Sequence, residues 1–544
     1  MTTSSQSVEP PPSGEGIAKA AGILSLGNVA SRVLGLVRQT VIADLFGASP
    51  YVSAFVAAAR VPTMIYDLLI GGLLSAALVP VFSDYASPQK RQELWRIFSI
   101  VVSLAVVVLS LIVILLELFA PQVAWLLGSG FDAQLRAVTT KMIRIILPAV
   151  LFFGMSGMVT GLLYTLKRFT YPAFGAAIYN AGIITAALLL ADKVNIYSLA
   201  LGILLGAMLQ LAIQLPDLRD VRFAFSLDLS HPALRRIAGL YLPIVLGLVI
   251  SQIGIVIDSN LASRTGEESI AWMDYATRLI QFPIGMVSAA VSLAILPTLS
   301  QYASEATSQQ YPISNIQPPT SDFQRTLAMG LKMVLMAIIP ATIGLFVLAA
   351  PIVALLFQHG SFDAHDTAQT ALALRYYLLG LTFAAIDLPL VFAFYARKDT
   401  LTPALVGVLG VVVYLIVALS LIRPLGMIGL IIANSTQLTV HALTMLDLLQ
   451  RRMGELDRYG IKALALKTVF ASLVMGGVTY LVLGRVQGAL DANTLVGKLV
   501  IVGGAGGVGL ATYLGMITLL RVEEARLVTG IIWRKVQSSL LSRS

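Results

Sequence analysis

The sequence predicts an all-α polytopic membrane protein of about 14 transmembrane helices. They are expected to form two pseudo-symmetric six-helix bundles plus two extra C-terminal helices. Three observations carry that expectation. Of 544 residues, 57% are hydrophobic and 12% charged, against about 25% charged in ordinary soluble domains. The apolar residues gather in runs that reach the about 20 positions a bilayer span needs. The first twelve runs also fall into two halves that share markers in the same order.

Taken in order, residues 1–15 (MTTSSQSVEPPPSGE) are polar and proline-rich and are expected to be a disordered tail. They carry no basic n-region, and no A-x-A site follows a short apolar run, so the first run is expected to be an uncleaved anchor. Candidate spans lie in 17–46, 52–83, 97–120, 136–165, 171–191, 195–215, 237–263, 269–302, 325–357, 368–396, 401–422, 425–448, 460–484 and 495–520. The expected organisation is an N-terminal bundle over 16–216, a cytoplasmic linker over 217–236 and a C-terminal bundle over 237–450. Two additional helices in 451–520 and a basic cytoplasmic tail over 521–544 follow.

The connections alternate in charge. One set carries Lys90, Arg91 and Arg96, then Lys167 and Arg168, then Arg219, Arg222, Arg235 and Arg236, then Arg397 and Lys398, then Arg451, Arg452 and Arg458. The other set offers only Lys193, Arg264, Arg423 and Arg485. The positive-inside rule places the first set, and with it both termini, in the cytoplasm. The Ser-, Gln- and Pro-rich stretch 304–322 is expected to be a flexible cytoplasmic loop. The net charge of +9 then reflects this asymmetry and gives no reason to expect nucleic acid as a partner. With no cysteine, a disulfide framework and a thiolate metal site are both excluded.

The halves repeat. VPVFSDYAS (79–87) closes the second span and LPTLSQYAS (296–304) the eighth. Lys167-Arg168 with Pro172-Ala173 matches Arg397-Lys398 with Pro403-Ala404. Gly202 and Gln210-Leu211 match Gly429 and Gln437-Leu438. Such a parallel repeat suggests a transporter with substrate near mid-membrane between halves that rock. The run VGGAGGVG (502–509) lies outside the repeat; its small residues favour close helix packing or a lipid-lined groove.

The chemistry lies in a few polar faces. On the first span Asn28, Ser31, Arg32, Gly35, Arg38 and Gln39 fall within an arc of about 120° at helical spacing. A charge at mid-membrane costs about 2.5–3.5 kcal/mol on insertion scales, so such residues are expected to face a bundle interior or a watery cavity. The second span carries Arg60 and Asp67 on one face, with Ser53, Thr63 and Gly71. The eighth carries Asp274, Arg278, Gln281, Gly285, Ser288 and Ser292, and Asp274 can pair with Arg278 across one turn. The seventh offers Gln252, Ser259 and Ser263, with Asp258 to one side. Arg32, Arg38, Arg60 and Arg278 make a cationic cavity suited to an anionic cargo, because guanidinium forks match phosphate and carboxylate oxygens. Mutual neutralisation of basic and acidic residues is the alternative. Lys141, Arg144, Lys332 and Arg375 can snorkel, and Asp387-Leu388-Pro389 reads as a helix break or as a carboxylate paired with an arginine.

At SRVLGLVRQTVIADLFG (31–47), with AFVAAARVP (54–62) and LSAALVPVFSDY (74–85), the chain resembles the MurJ/MviN family of the multidrug/oligosaccharidyl-lipid/polysaccharide exporter superfamily. WMDYATRLIQFPIGMVSAAVSLAILPTLSQ (272–301) resembles that family's eighth helix. The resemblance implies fourteen helices and a flippase for lipid II, an undecaprenyl-pyrophosphate-linked disaccharide peptide, in the bacterial cytoplasmic (inner) membrane. It implies substrate contacts at Ser31, Arg32, Arg38 and Arg278, with Arg60 at the family's basic position before the proline of span two. Asn28, Gln39, Asp67, Gln252, Asp274 and Gln281 would support the cavity. No cofactor is implied; membrane lipids and other cell-wall synthesis proteins are the expected company. Some members hold sodium between helices seven and eleven. Asp258 is the candidate ligand here, although span eleven has no Asn or Asp, and Ser53, Tyr66 and Gly71-Gly72 depart from the family pattern. Other lipid-linked oligosaccharides are alternative cargoes. A drug exporter would want acidic rather than basic cavity residues. A membrane glycosyltransferase would want a carboxylate or metal cluster in a larger extramembrane domain, and a scaffold would not need intramembrane arginines.

Overall fold

The computed structural model describes residues 14–68, 77–307, 319–489, 494–522 and 524. The expected tail up to residue 13, Gly71-Gly72, most of the 304–322 loop and nearly all of the basic tail lie outside the described residues. The described elements are all helical, and each of the expected spans coincides with helix over its described residues. The chain divides into two compact units, Met1–Ile270 and Ala271–Ser544.

The first unit contains α1 (Gly14–Phe46), α2 (Pro50–Tyr66), α3 (Val79–Ser83), α4 (Arg91–Leu118), α5 (Ala120–Leu127), α6 (Ala133–Ile146), α7 (Ala149–Thr165), α8 (Thr170–Val194), α9 (Tyr197–Ala212) and α10 (Pro232–Ser263). The second contains α11 (Ser269–Pro283, its first turn shared with the first unit), a π-helical turn at Ile284–Ser288, α12 (Ala289–Thr307), α13 (Pro319–Val347), α14 (Ala349–Leu356), α15 (Ala364–Ala396), α16 (Leu401–Leu425), α17 (Met427–Met453), α18 (Ile461–Ala489) and α19 (Leu495–Leu519). Among the described residues ten helical stretches are long and apolar enough to cross a membrane. Helices α1, α10 and α17, with 33, 32 and 27 residues, match them in length.

The expected bundle boundary at 237 and the division after Ile270 differ because α10 packs on α3, α4 and α5. Its C-terminal end is clasped by the turn after α5. The Ser263 hydroxyl accepts from Gly130 N–H at 3.0 Å, Ser129 donates to Asn260 Oδ1 at 3.1 Å, and Asn260 donates to the Leu126 carbonyl at 2.8 Å. A Cβ on Gly130 would come within 2.3 Å of the Ser263 carbonyl oxygen, so only glycine admits this approach.

Local sequence explains where the helices start and stop. Asp132 caps α6 by accepting from Leu135 N–H at 2.6 Å, and Asp363 caps α15 by accepting from Asp366 N–H at 2.8 Å. A short polar acceptor there satisfies donors that the first turn leaves open. Helices α7 and α15 are each followed by a lysine in the left-handed region, Lys167 (φ 59°) and Lys398 (φ 61°); α8 is followed by Asn195 (φ 50°) and α16 by Gly426 (φ 56°). Asparagine and glycine tolerate that conformation. Packing follows the same plan: α8 on α9 and α7 on α9 in the first unit, α16 on α17 and α15 on α17 in the second. Gly202 approaches Ile183 and Gly429 approaches Leu421 so closely that a Cβ would lie 2.9 and 2.4 Å from backbone atoms. Small residues at such crossings supply the contact that drives helix association in lipid. Helices α18 and α19 pack on each other and on α13 and α14.

Candidate substrate-binding residues

In the first unit α1 presents the polar stripe. Arg32 and Asn28 are exposed, Ser31 is half-buried and Gln39 is buried. Arg32 makes no hydrogen bond or ion pair with the described residues. Arg38 Nη1 donates to Asn180 Oδ1 on α8 at 3.0 Å, and the Asn180 amide donates to the Ser31 carbonyl at 3.2 Å and to the Ala176 carbonyl at 3.0 Å. One asparagine thus fixes α1 at two points and aims the Arg38 guanidinium. Because an amide is neutral, it orients the cation without cancelling its charge.

Arg60 on α2 faces Asp258 on α10, with Nη2 to Oδ2 at 3.7 Å. That is an ion pair without a short hydrogen bond. Arg60 Nη1 and Gln252 Oε1 are buried and lack a hydrogen-bond partner among the described residues. A buried polar group left in that state costs about 1–3 kcal/mol. The guanidinium beside Asp258 competes with any cation at that carboxylate. Among the described residues no group of three or more His, Cys, Asp or Glu side chains could hold a metal ion. Asp67 lies just past α2, half-buried, where a π-type turn begins. Beside it the Tyr241 hydroxyl donates to the Leu68 carbonyl. Tyr66 packs edge-on against Phe153 at 5.6 Å, and Phe153 against Tyr179 at 5.3 Å.

In the second unit Arg278 grips Asp274 on the same helix, Nη2 to Oδ1 at 3.1 Å and Nε to Oδ2 at 3.4 Å. Gln281 is exposed one turn on. Pro283 follows, and with it the π turn Ile284–Ser288; proline removes a helical donor and such turns cluster where helices bend for function. The buried Ser288 hydroxyl donates to the Ala385 carbonyl on α15. Pro389, which has no N–H, leaves that carbonyl without its helical donor.

The residues with two sequence readings all have partners. Lys141 lies over the Tyr197 ring at 4.6 Å and Arg144 is 3.8 Å from Glu117. Arg375 donates to the Phe346 carbonyl at 3.3 Å and Lys332 to Glu524 at 2.7 Å. Asp387 meets a histidine rather than an arginine: His441 Nδ1 on α17 is 2.8 Å from Asp387 Oδ1. Asn180 and His441 are the polar groups that sequence reasoning passed over. The available signal was a hydrogen-bonding or ionisable side chain inside an apolar run. The repeat pairs these positions with others: Gln210 matches Gln437, so Gln214 matches His441, and Pro172 matches Pro403, so Ser156 matches Asp387. In the first unit Gln214 and Gln210 donate to Ser156 Oγ at 2.7 and 3.2 Å.

At the basic loop ends the repeat places two more pairs. Arg168 makes a bidentate contact to Asp220, 2.7 and 2.9 Å, and that hydrogen bonding holds the Asp220 carboxyl below its usual range. Burial alone would raise Asp399; hydrogen bonds from the Thr402 hydroxyl and N–H and from Arg452 overcome it and hold the carboxyl at about 2.

Known proteins resemble this chain in sequence and in fold. The family profile described as lipid II flippase MurJ matches residues 42–501. A protein named lipid II flippase MurJ from Burkholderia cenocepacia is 31% identical over 464 residues, covering 83% of this chain and 87% of its own length. A probable lipid II flippase MurJ from Vibrio cholerae is 30% identical over 535 residues, covering 93% and 96%. A solved structure titled lipid II flippase MurJ, inward closed conformation, superimposes with a TM-score of 0.75 at 25% identity, covering 91% of this chain and 98% of that one. An inward-facing multidrug MATE transporter of the MOP superfamily shares the fold at a TM-score of 0.64 and 15% identity, covering 79% and 96%. A profile spanning most of the chain, together with relatives aligned over nearly their whole length, makes this chain a member of the lipid II flippase MurJ family.

Proposed function

We propose that the chain moves an anionic polyprenyl-pyrophosphate-linked sugar, lipid II, from the inner to the outer leaflet by alternating access. The observation that carries this reading is Arg32 on α1, which makes no hydrogen bond or ion pair with the described residues, together with Arg60 on α2, whose Nη1 is buried without an acceptor among them although Asp258 lies 3.7 Å from Nη2. Charge-assisted hydrogen bonds from guanidinium forks are the strong ones toward phosphate oxygens. Ser31, Arg32, Arg38, Arg60 and Arg278 are the proposed substrate contacts, and Asn28, Gln39, Asp67, Gln252, Asp274 and Gln281 support them. The unsatisfied Arg60 Nη1 gains its acceptor from the cargo. Outward movement of an anion is favoured by an inside-negative potential, by about 2.3 kcal/mol per charge per 100 mV. Collapse of the potential should therefore slow flipping, while removal of sodium should have little effect, because Asp258 is turned toward Arg60. A strict sodium requirement would overturn the second statement. No bond is made or broken in this cycle.

The proposed location is the bacterial inner membrane, with both termini in the cytoplasm and other cell-wall synthesis proteins as neighbours. The chain has no cysteine, so single introduced cysteines report topology cleanly. Cysteines at Ser49 and Gly360 should react with an impermeant reagent from outside, and those at Ser87 and Ser230 should not. The decisive test of function is complementation of a strain depleted of its own lipid II flippase, alongside appearance of lipid II at the outer face. Failure to support growth at normal abundance would refute the cargo assignment.

A further inference from the structure

We propose that His441 and Asp387 form a proton-binding site inside the second unit, and that its occupancy sets the pace of the flipping cycle. The first half stands on geometry alone; the second rests on the flippase reading.

His441 lies near the middle of α17 and Asp387 on α15, two residues before Pro389. Their side chains are 17% and 20% exposed, so the pair is neither sealed from water nor open to it. Nδ1 of the ring lies 2.8 Å from Asp387 Oδ1, so the two groups share a proton. A second proton on the pair makes an imidazolium that balances a carboxylate; its release to water leaves one negative charge between packed helices. Such a change of charge shifts the conformational equilibrium by as much as its energy differs between conformers.

Surrounding groups leave the proton to this pair. On α15 Tyr395 bears electrostatically on Asp387; Arg375 is held at the Phe346 carbonyl, and His365 and Asp366 sit at the far end beside Trp272. On α17 Asp447 pairs with Arg451, and Arg452 with Asp399. From α16 come Gly410, whose added Cβ would touch the imidazole, and the buried Tyr414; Arg423 lies at the opposite end. From α13 comes Lys332, paired with Glu524, with Asp322 and Arg325 at the helix start. Helix α12 brings Tyr302, α14 brings no ionisable side chain, and Arg278 and Asp274 on α11 pair with each other.

Two further observations show what the site is for. At the matching repeat positions the first unit uses Gln214 and Ser156, which make the same interhelical contact and cannot titrate at ordinary pH. Packing α15 on α17 therefore does not need an ionisable pair. Asp387 also sits in the turn broken by Pro389, whose released Ala385 carbonyl is taken by Ser288 at the end of the π turn. A change of charge at Asp387 thus acts on the span that carries Arg278.

The test uses the full chain in lipid nanodiscs and proteoliposomes. There are four histidines, so 15N-histidine NMR of the wild type against His441→Gln assigns the relevant signal. That signal should titrate between about pH 5 and about pH 9, and Asp387→Ser should weaken its proton affinity by at least tenfold. The double variant Asp387→Ser, His441→Gln installs the first unit's neutral pair. It should reach normal abundance and flip lipid II with a flattened pH profile. A wild-type signal that never titrates, or one that Asp387→Ser leaves in place, overturns the proton site. A double variant whose pH profile superimposes on the wild type overturns its control of the cycle. If no form moves lipid II at any pH, the flippase reading fails, and the histidine spectrum alone decides the site.

Discussion

Where α7 meets α9 in the first unit, Ser156 accepts from two glutamine side chains. Where α15 meets α17 in the second, the matching positions hold Asp387 and His441. The loop ends differ in a related way. Arg168 on the loop after α7 reaches Asp220, whereas Asp399 on the loop after α15 is reached by Arg452, the same tie with its polarity reversed. In the first unit Arg38 is oriented by a neutral asparagine; in the second Arg278 is gripped by a carboxylate. The repeated backbone specifies only that a polar contact exists at each place. Its charge is free to vary: at these places inside the helices the first unit uses neutral amide and hydroxyl groups, and the second uses carboxylates and a histidine.

The largest expected effect comes from removing the available charge. Arg32→Ala and Arg38→Ala should lower flipping by roughly ten- to a hundredfold, the worth of a charge-assisted hydrogen bond of about 1.5–3 kcal/mol. Membrane abundance should stay near normal for Arg32, which leaves no partner stranded. Arg278→Ala removes the cation that Asp274 pairs with on its own helix and should reduce abundance as well as flipping; adding Asp274→Ala should restore abundance alone. Lysine at these sites keeps the charge but loses the fork, and should give partial activity. Growth complementation with quantitative immunoblots reads all of these. Normal growth of both Arg32→Ala and Arg278→Ala at normal abundance would show the arginines to be structural.

A smaller effect should follow from giving the first unit the second unit's chemistry. Asn180→Asp places a carboxylate where the amide holds Arg38. Abundance should hold or rise, while lipid II flipping falls because a carboxylate in contact with Arg38 competes with an anionic cargo. Unchanged flipping would mean that Arg38 works through geometry and not through charge.

The smallest effects belong to the loop ties. Exposed pairs contribute about 0.2–1 kcal/mol, so Arg168→Ala should lower thermal stability slightly. Arg168→Asp combined with Asp220→Arg, which copies the second unit's polarity, should recover it. Asp399 is held at about 2 in the fold, against about 3.9 in an unfolded chain. A lowered carboxylate contributes stability that is present above the unfolded value and lost as pH falls through the folded one. Thermal stability of the wild type should therefore decline between about pH 4 and about pH 2, and Asp399→Asn should flatten that limb.

The spans were legible because apolar runs of bilayer length can fold only as helices, and the i, i+4 spacing of Asp274 and Arg278 made their pairing readable. The faces of α1 and α2 followed from helical periodicity. Partners from distant sequence were not legible in this way. Asn180 lies in an otherwise apolar run with nothing local to pair it to Arg38, and Asp387 offered two readings until α17 was packed beside it. The placement of α10 with the first unit depends on Gly130 and Ser263, a contact between two turns that no periodicity records.

Lys332 on α13 finds its counter-charge in Glu524, 192 positions later. Ribosomes add about 5–20 residues per second. An apolar helix carrying this lysine must therefore wait roughly ten to forty seconds for its acidic partner, at a standing penalty of about 2.5–3.5 kcal/mol if the ammonium lies deep in the bilayer. During synthesis α13 is thus a segment whose settled depth is decided only when the last helix has left the translocon. A stop codon between Leu519 and Glu524 would keep every described span yet leave that lysine permanently unmatched.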